Sequence, residues 1–289
     1  MQGITPFLWF DDNAEEAADF YISVFDDSRI LSLVRYSEAG PGPAGSVMVV
    51  SFQLHGQQFD AVNGGPVYSF TPATSLFVSC ASTSEVDALW AKLLAGGTAL
   101  MELGAYPFSP RFGWLQDKFG ISWQIGLEER KQKIAPFLMF TGKQHGRAEE
   151  AIRHYTSLID RSRIEEIVRN GPGEEEPEGT VKRAVFTLDG LEMIAMDSAY
   201  AHAFTFTPAM SFVVNCDSQD EIDELWGRLG DGGEVQQCGW LIDRFGVTWQ
   251  IVPVILATLM QDPDPARARR VTEAMLQMVK LDIAALENA

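Results

Sequence analysis

The sequence is poor in histidine, cysteine and positive charge, and it has no long apolar run. Its 289 residues include 4 His, 3 Cys and 22 Lys and Arg against 40 Asp and Glu, which gives a formal charge of -18. Phosphate binding needs clustered cations, so this balance argues against a nucleic-acid partner and an anionic membrane surface. No stretch approaches the roughly 20 apolar residues of a membrane span.

The cysteines do not form a disulfide or zinc pattern. Cys80 and Cys216 each end an apolar, strand-like segment, and Cys238 stands apart from both. An odd number of thiols in such segments is typical of core residues in a reducing compartment. The N-terminus also lacks the basic and apolar regions of an export signal. The sequence therefore predicts a cytoplasmic protein.

The chain does contain a long internal repeat. ITPFLWF at 4–10 returns as IAPFLMF at 134–140, FTPATSLFVSC at 70–80 returns as FTPAMSFVVNC at 206–216, and GWLQDKFGISWQI at 113–125 returns as GWLIDRFGVTWQI at 239–251. Length differences fall between the motifs, as expected for loops around a common core. Each copy is longer than the roughly 20–50 residues of a solenoid unit. The repeat therefore predicts two duplicated domains, at 1–127 and 134–253.

Each copy also contains one order of elements twice. In the first copy, a strand-like run at 4–10 precedes a helix capped by Asp12 or Asn13 and then three strand-like segments. A second strand, a helix at 85–94 capped by Ser82 or Thr83, and three more strands follow. The sequence thus predicts an α+β fold with two βαβββ modules per copy. Residues 262–289 predict an amphipathic C-terminal helix that docks on the chain itself.

The paired modules, the FTPA segments and the closing GWLQDKFGISWQI resemble the PhnB-like branch of the vicinal oxygen chelate superfamily. That superfamily includes glyoxalases, bleomycin-resistance proteins and dihydroxybiphenyl dioxygenases, and the branch often carries the label 3-demethylubiquinone-9 3-methyltransferase. The resemblance implies tandem glyoxalase-like domains, each with two modules that form a cupped eight-stranded sheet around a small molecule. It leaves open a homodimer and a chain whose halves, joined at 128–133, replace the usual dimer.

Metal-dependent members of this superfamily place His and Glu ligands at strand positions where this chain has weaker donors or none. A hydroxyl and a neutral amide are poor ligands for Zn, Ni or Fe, and an aromatic ring is none. We therefore expect neither a metal nor a cofactor, and the catalytic residues stay unknown. The positions hold Phe7, Ser75 and Gln124 in the first copy and Phe137, Ser211 and Gln250 in the second.

Without a metal, the cup is an apolar, aromatic cavity with a few polar groups, as in most small-molecule sites. We expect the last-strand Gln to face the cup, and Trp123 and Trp249 to face the helices. The first copy is the better candidate, because MELGAYPFSPRF at 101–112 adds aromatic surface that the second copy lacks. The predicted ligand-binding residues are Gln124, Ser75, Asn63, Trp114, Phe52, Phe70, Gln250, Ser211, Asp197 and Trp240. For each aromatic residue, the alternative to ligand contact is packing in the core. For each polar pair, the alternative is a hydrogen bond to neighbouring backbone.

Three functions remain open. The first is metal-free binding of an uncharged or weakly polar organic molecule, with Gly- and Pro-rich segments at 37–45 and 170–180 placed as lids. The second is a metal-dependent lyase, isomerase or dioxygenase with differently placed ligands. The third is a structural module with filled cups. A methyltransferase has no support, because no glycine-rich turn follows a strand that leads into a helix.

Overall fold

The computed structural model, which describes residues 3–36 and 42–289, contains two eight-stranded sheets with helices packed on one face of each. In the first repeat the elements are β1 (Ile4–Phe10), α1 (Ala14–Val24), β2 (Arg29–Arg35), β3 (Val47–Leu54), β4 (Gln57–Asn63), β5 (Thr74–Cys80), α2 (Thr83–Leu94), β6 (Thr98–Tyr106), β7 (Ser109–Gln116) and β8 (Ser122–Leu127). Within the described ranges, no helix combines the length and the apolar character of a membrane-spanning segment.

The second repeat has the same order of elements. They are β9 (Ile134–Phe140), a short 3-10 helix (Gly142–Gln144), α3 (Ala148–Leu158), β10 (Arg163–Arg169), β11 (Val181–Leu188), β12 (Leu191–Asp197), β13 (Met210–Cys216), α4 (Gln219–Leu229), β14 (Glu234–Val235), β15 (Trp240–Ile242) and β16 (Thr248–Pro253). The predicted α+β class, with eight-stranded sheets that each contain two βαβββ modules, is confirmed.

The structure differs from the sequence-based expectation in which modules share a sheet. The strand orders are β14-β15-β16-β13-β1-β4-β3-β2 and β10-β11-β12-β9-β5-β8-β7-β6. Each sheet therefore joins the first module of one repeat to the second module of the other. We expected each repeat to form its own sheet, and this allocation is corrected.

The linker at 128–133 explains the exchange. Strand β8 pairs in parallel with β5 on one side, and β9 pairs antiparallel with β5 on the other, with Val78 opposite Ile134. The backbone N–H of Ser79 donates to the carbonyl of Lys133 at 2.9 Å, so pairing begins within the linker itself. A short, hydrogen-bonded linker thus delivers β9 to the free edge of β5. The equivalent seam joins β1 to β13.

The hydrophobic cores follow the repeats rather than the sheets. Helices α1 and α2 pack in one cluster with apolar side chains from β1 to β8, and α3 and α4 pack in another with those of β9 to β16. Only a few side chains cross over, among them Ile4 and Ala73 in the core of the second repeat and Met210 in that of the first. Each repeat thus forms one hydrophobic core, whereas each sheet contains strands from both repeats.

The C-terminal segment forms two helices where one was expected at 262–289, and a third, short helix precedes them. They are α5 (Leu256–Met260), α6 (Pro265–Gln277) and α7 (Ile283–Glu287). The chain is interrupted because the carbonyls of Met278 and Val279 accept hydrogen bonds from Cys238 and Gly239, both at 2.8 Å. The predicted docking is present, since Leu281 is buried against Gly239 of the second repeat.

Candidate functional site

The face of each sheet that the helices leave uncovered forms a cup. We call the cup of β1–β4 and β13–β16 cup 1, and that of β5–β12 cup 2. Side chains of five adjacent strands form a matched row across each floor. The row of cup 1 is Asp60, Phe7, Ser211, Gln250 and Trp240, and that of cup 2 is Ile194, Phe137, Ser75, Gln124 and Trp114.

The rows correct the predicted grouping of residues. Phe7 pairs with Ser211, and Phe137 pairs with Ser75, because β1 and β9 each join the other repeat. The sequence had placed Phe7, Ser75 and Gln124 in one cup. The predicted positions are still equivalent in the two cups, but each row contains residues from both repeats.

A buried Gln–Ser pair lies at the centre of each row. Gln124 donates from Nε2 to the Oγ of Ser75, and Gln250 donates to Ser211, both at 2.9 Å. Both Gln side chains face the cup as predicted, and each residue is only 6% exposed. One N–H of each Gln amide is therefore bonded to Ser, and ligand contact by these side chains stays a prediction.

The floor of cup 2 is an apolar cluster of side chains from both repeats. Its buried members are Phe77, Phe112, Ala135, Phe137 and Ile194, and Met101, Tyr106, Trp114 and Met196 pack on it while partly exposed. The predicted insertion at 101–112 builds part of this wall as the β6–β7 hairpin. Phe108 at its tip stacks on Tyr106 with ring centroids 5.5 Å apart, and it is 64% exposed.

Cup 1 has fewer aromatic side chains than cup 2, and it is more polar. Trp240 contacts Phe7 and Trp9 edge to face, with ring centroids 5.7 and 5.8 Å apart. Phe7 and Trp240 touch although β13 and β16 lie between their strands, so their rings extend over the Gln250–Ser211 pair. The carboxylate of Asp60, next to Phe7, accepts hydrogen bonds from Ser51 and Gln58. Burial raises the pKa of Asp60, and these two hydrogen bonds oppose the shift.

Two predicted aromatic ligand contacts lie outside the cups. Phe52 faces the helices and stacks on Phe59 at 5.7 Å, because strand alternation places it with Val50 and Leu54 in the core. Phe70 packs on Phe10 at 5.1 Å beside the same core. Their aromatic character reflects core packing. Trp114 and Trp240, by contrast, line the cups as expected.

The matched pair Asn63 and Asp197 satisfies backbone groups. Asn63 accepts from the backbone N–H of Ala14 at 2.8 Å and donates to the carbonyl of Val47 at 2.9 Å. Asp197 accepts from Gly146, Ala148 and Val181. Asn63 thus caps α1, whereas the predicted cap Asn13 makes no side-chain capping bond. These contacts correspond to the backbone alternative, and they leave ligand binding by either residue without support.

Each repeat also contains a buried carboxylate that was not predicted from the sequence. Asp117 accepts hydrogen bonds from the Tyr21 hydroxyl and the Trp123 indole, both at 2.7 Å, and from the backbone N–H groups of Phe119 and Ile121. Asp243 repeats the arrangement with Tyr155, Trp249, Phe245 and Val247. The D-x-F-G-x-x-W spacing in both closing motifs is the signal that identifies them. Trp123 and Trp249 face the helices as predicted.

The acidic loop at 170–180 is held by the second repeat. Glu176 accepts from the backbone N–H of Ala199 at 2.7 Å, Glu175 accepts from the Tyr200 hydroxyl at 2.6 Å, and Lys182 pairs with Glu174 at 2.8 Å. The composition of this loop predicted a solvated acidic segment at a place where a lid could lie, and these contacts anchor it to the rest of the repeat. Residues 37–41 of the other proposed lid lie outside the described residues.

The donors of both cups do not fit a metal ion. Neither row contains a His, Cys or Glu, and the only carboxylate in them, Asp60, lies in cup 1. Over the described parts of the chain, no group of three or more His, Cys, Asp and Glu side chains is close enough to hold a metal. The amide and hydroxyl that remain are already bonded to each other.

Comparison with solved structures shows the class of fold. Glyoxalase I from Zea mays matches with a TM-score of 0.56 and 9% identity, over 85% of this chain and 89% of that chain. At this identity the likeness establishes the fold alone. No match was found among curated proteins.

The closing motifs and the duplicated modules identify the family. The model of the 3-demethylubiquinone-9 3-methyltransferase family matches residues 2–126 and again residues 132–252. A PhnB protein from Bacillus cereus with the same designation is 48% identical over 43% of this chain and 98% of that chain, with a TM-score of 0.41. The chain therefore belongs to this PhnB-like family, as a tandem duplication.

Proposed function

We propose that the protein binds a small, uncharged or weakly polar organic molecule in cup 2, without a protein-bound metal. The observation that carries the proposal is the partly exposed apolar wall above a buried apolar floor. Met101, Tyr106, Trp114 and Met196 surround that floor, and Phe108 stands exposed beside them. An apolar concavity with few polar groups is the usual composition of a small-molecule site.

The polar groups of cup 2 favour an uncharged ligand. Gln124 and Ser75 bond each other beneath the wall, and the Trp114 indole donates to Ser122 at 2.8 Å. The Arg183 guanidinium lies 5.6 Å from the Phe77 ring centroid and is paired with Glu128 at 2.7 Å. The guanidinium over this floor is thus already paired with a carboxylate. We infer that specificity comes mainly from shape and apolar contact.

The family designation does not extend to methyl transfer in this chain. Strand β1 leads into Asp11, Asp12 and Asn13, where a nucleotide-like cofactor would need a glycine-rich turn. The absence of a metal from the proposal rests on the donor chemistry of the two rows. We place the protein in the cytoplasm, where Cys80, Cys216 and Cys238 stay as free thiols.

Binding of the neutral fluorescent probe N-phenyl-1-naphthylamine tests the proposal. The wild-type protein should bind the probe saturably, and Phe108→Ala and Trp114→Ala should each weaken binding by roughly tenfold through lost aromatic contact. Phe108 is exposed, so its replacement leaves the core intact.

The matched control is Val235→Ala, which truncates an exposed apolar side chain on the corresponding hairpin of cup 1. Its affinity for the probe should equal that of the wild type. Absence of saturable binding would favour a structural module with filled cups. Near-stoichiometric Zn, Ni or Fe in protein purified without chelator, lost on mutation of Gln124, would favour the metal-dependent enzyme.

A further inference from the structure

Cup 1 differs from cup 2 at two matched positions. Asp60 of cup 1 corresponds to Ile194 of cup 2, because each is the register partner of the central Phe. Trp9 likewise corresponds to Met139, two residues after the central Phe in each first strand. A carboxylate and an indole therefore replace two apolar side chains at these matched positions.

The aromatic rings of cup 1 form walls at right angles. Trp240 is inclined by 89° to Phe7 and by 85° to Trp9, and Trp9 is inclined by 73° to Tyr68 at 5.1 Å. The Trp9 indole N–H donates to the carbonyl of Gly65 at 2.8 Å, which fixes its orientation. All four rings are partly exposed. Faces at right angles surround a cation from more than one side, and Trp is the best aromatic partner for a cation.

Asp60 supplies the complementary charge. Among the described residues its hydrogen-bond partners are Gln58 and Ser51, and no Lys, Arg or His side chain pairs with it. A carboxylate has about four acceptor positions, so two neutral donors leave capacity for a further partner. The formal charge of -18 also concentrates cations near the surface. In cup 2 the protein's own Arg183 already lies over the aromatic floor.

We propose that cup 1 is a second binding site, which takes organic ammonium cations through Trp9, Trp240 and Asp60. The rings contact the alkyl groups around the nitrogen, and the carboxylate balances the charge. The two cups then have different ligand classes, one cationic and one neutral. This specificity is independent of whether cup 2 binds its neutral ligand.

The test compares choline with 3,3-dimethylbutan-1-ol, which has the same shape and no charge. Intrinsic tryptophan fluorescence follows the titration of each at about pH 8, which is roughly four units above the ordinary pKa of an Asp carboxyl. The wild-type protein should bind choline at least tenfold more tightly than the alcohol. Asp60→Asn should abolish this preference while it keeps affinity for the alcohol, and Trp240→Leu should weaken choline binding by about tenfold.

The matched control is Asp26→Asn, which removes the same charge from an exposed position outside the cups. It should bind choline like the wild type. Equal affinities for choline and the alcohol, or a choline preference that persists in Asp60→Asn, would overturn the proposal. An equal loss of both ligands in Asp60→Asn, or no saturable choline binding by the wild type up to about 20 mM, would overturn it as well.

Discussion

Asp117 connects two modules of the first repeat that belong to different sheets. Its partner Tyr21 lies on α1 behind the first sheet, whereas Trp123 lies on β8 of the second. Burial raises the pKa of Asp117, and its four hydrogen-bond donors oppose the shift. A buried carboxylate is tolerated when its lone pairs are used, so removal of the acceptor is costly.

Asp117→Ala should therefore lower the free energy of unfolding by about 3–5 kcal/mol. The substitution leaves the Tyr21 hydroxyl, the Trp123 indole and two backbone N–H groups without their acceptor. Urea unfolding followed by tryptophan fluorescence measures the effect, and Asp243→Ala should behave alike. The exposed Asp26→Ala should change stability by less than about 0.5 kcal/mol. Equal stabilities of Asp117→Ala and Asp26→Ala would show that the network carries no stability.

The orientation of Asp60 towards the cup is predictable from the sequence. Asp60 lies between Phe59 and Ala61, both buried against the helices, so strand alternation predicts that Asp60 faces the cup. The matched residue in the second repeat is Ile194. This difference between the cups is therefore present in the sequence, but Asp60 lies outside the three strand positions at which His and Glu ligands would be expected. Burial of the Gln–Ser pairs, in contrast, depends on rings from other strands and was not predictable.

Local sequence patterns predicted the helices and their caps correctly where the residues that stabilise them lie nearby in the chain. Ser82 caps α2 through the backbone N–H of Glu85 at 3.2 Å, as predicted. The predicted N-cap of α1 was wrong, because the side chain that accepts from the backbone N–H of Ala14 is Asn63, which lies on β4. The prediction of one continuous C-terminal helix was wrong for the same reason, because the carbonyls of Met278 and Val279 accept backbone hydrogen bonds from the distant residues Cys238 and Gly239. An amphipathic period does not reveal such distant partners.

Docking of the C-terminal segment predicts an asymmetric effect of two neighbouring truncations. Leu281 is fully buried, whereas Val279 is 44% exposed and contributes only its carbonyl. Leu281→Ala should lower the free energy of unfolding by about 2–4 kcal/mol, because it leaves a cavity next to Gly239. Val279→Ala should cost less than about 0.5 kcal/mol.

Thermal unfolding of the full-length variants measures this difference. Leu281→Ala should melt several degrees below the wild type, and Val279→Ala should melt with it. If both variants melt like the wild type, the segment contributes nothing to the stability of the second repeat. A change in self-association without a change in melting would assign the segment to an interface between chains.

For the whole molecule, the sequence predicted the number of modules but not their partners. Strands β5 and β13 are both mainly apolar and share Ser, Val and Cys at matched positions, as TSLFVSC and MSFVVNC, so the strand sequences do not select one partner for β1. The choice is made by the linker, which places β9 beside β5 and leaves β13 for β1. The cores still follow the repeats, which is why motif order alone suggested two closed domains.

Disulfide trapping across the β1 seam tests this exchange most directly. In a background with Cys80, Cys216 and Cys238 replaced, Thr5→Cys with Val213→Cys places two thiols at register partners, at a spacing of about 5.5 Å that suits a disulfide. Non-reducing electrophoresis and peptide mass mapping should show an intramolecular cross-link. The control pairs Thr5→Cys with Phe77→Cys, the matched position in the first repeat, and should stay reduced. An intramolecular cross-link in the control and none in the Thr5–Val213 pair would contradict cups shared between the repeats.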